Sequence, residues 1–163
     1  MRILLYFLLL IALQGAIAAL LPLGWGGPDL FLLTGVALAQ RLNPLGGMVL
    51  AYSLGLVQDL LGHGYPGLHA AGLAGGVLFL HGLRGLVLPG PALREAVALV
   101  AAVLGQWATF LILTYWLRDG LVTVSSLTRV LPSELLLTLL LYPVLRPLLA
   151  WCFGPLERRE VAV

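Results

Sequence analysis

Charge is scarce in this chain: only 10% of its 163 residues are Asp, Glu, Lys or Arg, and lysine is absent altogether. A soluble domain usually carries about a quarter charged residues, so that scarcity, with a mean hydropathy of +1.05, excludes an ordinary soluble fold. The single cysteine, Cys152, excludes an internal disulfide. No long linker, low-complexity tract, convincing repeat or polar stretch of domain size is left over. The nine basic residues, all arginine, are dispersed, without a basic stripe interleaved with aromatics, so no nucleic-acid surface is expected.

Catalytic signatures are equally thin. There is no Walker motif, no HExxH and no paired mid-membrane carboxylate of the proton-pump kind. Ala51-Tyr52-Ser53-Leu54-Gly55 is the nearest approach to a nucleophile elbow, but it lacks the first glycine and sits within an apolar helical run, where a strand-to-helix turn cannot form. Asp59, His63 and His69 are the only cluster with ligand-like spacing, and no second group completes a metal shell. The expectation is a non-enzymatic protein with no catalytic residue, no metal and no cofactor.

What the chain does have is apolar sequence, 61% by count. Since a bilayer core needs about 20 apolar residues per helix, runs over 3–22, 28–40, 45–61, 68–88, 93–117 and 133–153 predict an all-α integral membrane protein. Six transmembrane helices would then form a single polytopic domain over 1–163, bathed in membrane lipid. The first run also has features of a signal peptide, with Arg2 before it and Ala16, Ala18 and Ala19 as small residues, but its length favours a retained helix. The second run is short: thirteen residues give roughly 20 Å at 1.5 Å each, so tilt, local thinning or extension through the glycine loop is expected. Two short helices side by side, the second and third, would leave room for a cavity or a partner.

Arginine placement predicts orientation, because short cytoplasmic loops gather positive charge. With the N-terminus inside, Arg2, Arg41, Arg84, Arg94, Arg146, Arg158 and Arg159 share one side and Arg118 and Arg129 the other, which predicts both termini in the cytoplasm.

The stretch from Gly46 to Gly76 carries the most information. Ala51 and Gly55 lie eight and four residues before Asp59, on one helix face. A turn containing Gly62, His63, Gly64, Tyr65, Pro66 and Gly67 follows, and His69, Gly72 and Gly76 share a face of the next helix. Small faces of this kind permit close approach of another helix. An acid at the edge of such a face is costly in lipid and calls for a partner: His63, His69, the free amides opening the fourth helix, or a group on another protein. Asp29, beside Pro28, suits the start of the second helix, or else faces the hairpin near Asp59. Gln106 is expected to bond across to a neighbouring helix.

These residues resemble a bacterial family, the rod shape-determining proteins of the MreD type. The resemblance rests on Pro28-Asp29-Leu30-Phe31-Leu32-Leu33, then Gly55-Leu56-Val57-Gln58-Asp59-Leu60-Leu61-Gly62, then Gly67-Leu68-His69-Ala70. It is specific over about residues 28–76. It implies a non-catalytic subunit of the cell-wall elongation machinery, whose partners are MreC directly and RodA, penicillin-binding protein two and MreB indirectly. It also implies a fold similar to the substrate-binding S components of ECF transporters. By position Asp29, Gly55, Asp59, Gly62 and Gly67 carry over, whereas His63 and His69 carry no family role. From this follows the expectation that the glycine face of the hairpin, with Gly55, Gly72 and Gly76, receives the membrane helix of MreC, and that Asp59 orders one end of the slot. The alternative is an S-component-like binder of a vitamin or lipid, in which Trp25, Tyr65, Asp59 and His69 line a pocket.

Overall fold

A computed structural model of the chain describes residues 1–22, 25–62, 65–83, 90–117 and 123–154. Expectations placed on His63, Gly64, Arg84, Arg118, Arg158 and Arg159 fall outside the described residues. Those residues form six α-helices: α1 (Arg2–Leu20), α2 (Leu30–Ala39), α3 (Pro44–Leu61), α4 (Leu68–Gly82), α5 (Pro91–Leu117) and α6 (Leu131–Phe153), the last preceded by a π-helical turn, Ser126–Val130. No strand occurs among them.

Six apolar runs therefore become six helices, but not six equivalent spans. Four helices are long and apolar enough to cross a membrane, namely α1, α3, α5 and the π turn with α6, while α2 and α4 are too short. The third run, expected to be short, reaches 18 residues because Asn43 caps it and Pro44 opens it. The Asn43 side chain accepts the Gly46 N–H at 2.7 Å, and proline at the first helical position gives up no needed donor.

The correction with most consequence concerns α2. It is enclosed by protein: every other α-helix touches it, and Leu30, Phe31, Leu32, Leu33, Thr34, Val36, Ala37 and Ala39 are all buried. An apolar run of only 10 to 14 residues reads better as a buried core helix than as a span, and a helix apolar on every side must be enclosed. The remaining helices are arranged around this plug, with Leu73 and Val77 of α4, Leu99 and Val103 of α5 and Leu145 and Leu149 of α6 in the same core.

Lipid tails are as apolar as leucine, so helices in a membrane are held by close packing and hydrogen bonds more than by water exclusion. α1 illustrates the minimum, since it buries only Tyr6 and Leu10. The Tyr6 hydroxyl lies 2.6 Å from Thr34 Oγ1; Thr34 gives its one hydroxyl proton to the Leu30 carbonyl, which makes Tyr6 the donor. Tyr6 also packs edge-on against Phe153. At that end Arg41 donates to the Phe153 and Gly154 carbonyls at 2.8 and 2.6 Å, capping the negative end of α6. Pro143 and Pro147 lie within α6 without ending it. Arg146 pairs with Glu95 at 3.1 Å.

Candidate functional site

The α3–α4 hairpin is built as a close crossing locked by one acid. A methyl group added at Gly55 would run into the backbone of His69 and Ala70, so the two helices touch backbone to backbone there. That contact brings the end of α3 beside the start of α4. Gly67, at φ +90°, makes the left-handed corner that favours glycine, but it has no side chain with which to cap the helix. Asp59 supplies that cap from the neighbouring helix. Its Oδ2 accepts the N–H groups of Gly67 and Ala70 at 2.8 and 3.1 Å. Oδ1 accepts the His69 N–H at 3.0 Å and meets His69 Nδ1 at 2.9 Å. Amides at a helix start have no partner within the helix, and their positive dipole end favours a carboxylate. Gly62 ends α3, returning its N–H to the Gln58 carbonyl.

The face of α4 that carries His69, Gly72 and Gly76 is occupied by α5. His69 stacks edge-on against Phe110; a methyl group at Gly72 would meet Phe110 and Gln106, and one at Gly76 would meet the Ala102 carbonyl. The slot expected to receive a foreign helix is thus closed by the chain's own α4 and α5. Small residues served the approach of helices within one bundle, a use that sequence spacing cannot distinguish from a partner groove. Asp59 likewise turns its oxygens to α4 and not to a pocket, while Trp25 and Tyr65 are exposed.

Asp29 does not join Asp59. Its Oδ1 caps α2 through the Leu32 N–H at 2.9 Å, and its Oδ2 accepts Gln106 Nε2 at 2.9 Å. The latter is the cross-helix bond that Gln106 was expected to make. Before Asp29 the chain enters the bundle in an extended form, with Gly26, Pro28 and Asp29 buried. Non-helical backbone at such depth must find partners inside the protein. Gly26 N–H donates to Ser133 Oγ at 2.9 Å, Asp29 N–H to Thr138 Oγ1 at 3.4 Å and Leu30 N–H to Gln14 Oε1 at 3.1 Å. Glu134, on the same face of α6, is also buried and accepts Trp107 Nε1 at 3.2 Å.

A second acid beside Asp29 was missed from sequence, where no carboxylate pair was expected. The signal was present but diluted: Asp29 opens the second apolar run and Glu134 the sixth, and alternating spans put both at one end of the bundle. Elsewhere, Ser53 gives its hydroxyl to the Val49 carbonyl at 2.8 Å on the exposed side of α3. Among the described residues no three His, Cys, Asp or Glu side chains are placed to hold a metal ion.

Fold and sites together define an all-helical protein with four helices capable of crossing a membrane. Comparisons with protein-family models, curated proteins and solved structures find no match.

Proposed function

We propose that this chain is a non-catalytic membrane subunit of the MreD kind, with an S-component-like arrangement of six helices in the bacterial inner membrane. On this reading it binds the single membrane helix of MreC and, through it, supports the peptidoglycan synthases RodA and penicillin-binding protein two. The observation that carries the reading is the use made of the segment on which the resemblance rests. Asp29 and Asp59 each hold the start of a helix, and Gly55 sits in a helix crossing. These are the tasks of a scaffold whose motif preserves a shape.

Because the glycine crossing is filled from within, a partner helix must approach from the lipid side. The exposed stripe of α3, with Val49, Tyr52, Leu56 and Leu60, belongs to the same segment and is where the MreC helix is placed. Photocrosslinking residues at Tyr52 and Leu56, with Leu136 and Leu140 of α6 as a second face, test this in membranes containing MreC. Crosslinks from α3 support the surface, and crosslinks from α6 alone overturn it. Failure of MreC to co-purify with the intact chain would overturn the assignment itself.

A further inference from the structure

Asp29 and Glu134 are 5% and 8% exposed, and the extended segment lays them along one face of α6. Gly26 packs against Val130 and the Glu134 side chain, and the Asp29 N–H reaches Thr138, one helical turn beyond Glu134. Consecutive residues of α5 hold the two acids, Gln106 Nε2 donating to Asp29 Oδ2 and Trp107 Nε1 to Glu134 Oε2. Neither has a cation beside it among the described residues, where the ion pairs with an acid are His69 with Asp59 and Arg146 with Glu95. The elements packed around the pair contribute Gln14 from α1, Gln106 and Trp107 from α5, and Ser133 and Thr138 from α6, none of them titratable. Arg129 of the π turn is exposed. Two like charges, buried together without a counter-charge, are a costly arrangement.

A second observation points to what is missing. Gln106 is 2% exposed, and while its Nε2 donates to Asp29, its Oε1 has no hydrogen-bond partner. The same amide group therefore presents an unfilled acceptor at the edge of a cluster already rich in acceptors. A positive charge able to act as a hydrogen-bond donor would answer both deficits.

We propose that Asp29 and Glu134 form a binding site for one exchangeable proton, held by the pair as a unit, with the Gln106 carbonyl as a further acceptor. Binding takes the pair from two negative charges to one, makes a single O–H bond and breaks none. A proton suits the site better than a metal, because the Ser133 hydroxyl already donates to the Arg129 and Val130 carbonyls, and among the described residues no third acid or histidine joins the pair in a metal-holding group. Its occupancy would govern how firmly the buried Gly26–Asp29 segment lies against α6.

The inference is independent of the MreC reading, and its test involves no partner. The full chain in lipid vesicles is examined by infrared spectroscopy at neutral pH, with circular dichroism to verify folding. The expected result is a protonated-carboxyl C=O band that vanishes in Glu134→Gln, survives in Glu95→Gln, and titrates at a different pH in Asp29→Asn. A second readout is a chain in which Trp25, Trp116 and Trp151 are replaced by phenylalanine. Emission from Trp107 should then change with pH in one step, and should be flat when Glu134→Gln is added. No such band at neutral pH, a band unaffected by Glu134→Gln, or a band that sodium abolishes would each overturn the proposal, the last by showing a metal cation in the proton's place.

Discussion

Oδ1 of Asp59 meets both the backbone N–H and the Nδ1 of His69, at 3.0 and 2.9 Å, so one carboxylate oxygen fixes both the start of α4 and the first side chain on its α5-facing stripe. The backbone bonds should dominate. Removing the acceptor leaves donors at Gly67, His69 and Ala70 without partners; the buried Ala70 amide accounts for about 1–3 kcal/mol, and the partly buried Gly67 and His69 amides, which water can reach, for less. Asp59→Ala should therefore destabilise the protein by about 2–4 kcal/mol. His69→Ala, which deletes one hydrogen bond and the edge contact with Phe110 from a side chain one-third exposed, should cost about 1–2 kcal/mol. Unfolding in a denaturing-detergent titration measures both.

The Gly55 crossing should be the least tolerant glycine of the hairpin. In Gly55→Ala the new methyl group meets backbone atoms of His69 and Ala70, which cannot rotate away, so α3 and α4 must separate. Overpacking of this sort costs about 1–3 kcal/mol. Gly15→Ala, with nothing within 4 Å of the new atom, should instead stabilise α1 by up to ~1 kcal/mol through helix propensity. The pair of unfolding midpoints should move in opposite directions.

How far the sequence reveals the molecule can be seen in these residues. Four helices able to cross a membrane were legible because length and hydropathy are local properties, and the amides of α4 were foreseeable partners of Asp59 because they follow it closely in the chain. The enclosure of α2 was not, because an all-apolar run has no polar face to betray which side meets lipid and which meets protein. The burial of Asp29 against the α6 face that carries Glu134 was hidden for a different reason: it depends on a non-helical segment entering the bundle, and glycines and a proline in a loop do not tell whether the loop lies outside or within.

The attachment of α1 offers a narrow test of hydrogen bonding in an apolar setting. Tyr6→Phe keeps the ring stacked near Phe153 and removes only the hydroxyl that donates to Thr34. Thr34 retains its bond to the Leu30 carbonyl, so no donor is stranded, and the loss should be about 0.5–1.5 kcal/mol. Limited proteolysis of vesicle-embedded protein should show α1 cut sooner, with the remaining helices protected as before.

At the same end of α6, Arg41 grips two successive carbonyls. A guanidinium reaches both with separate N–H groups in a fixed fork, which an ammonium cannot reproduce. Arg41→Lys should consequently behave more like Arg41→Ala than like the unaltered protein. Hydrogen exchange over residues 149–154 should rise in both variants, while exchange in α4 stays unchanged.

Hydrogen exchange at the amides of Gly67, His69 and Ala70 bears most directly on the claim that Asp59 is the lock of the hairpin. These groups open a helix and would ordinarily exchange with the solvent-exposed turn. With Asp59 in place they should be protected, and in Asp59→Ala that protection should fall at all three while the Leu32 amide, held by Asp29, keeps its own. Equal exchange at the three amides with and without the Asp59 carboxylate would contradict the account.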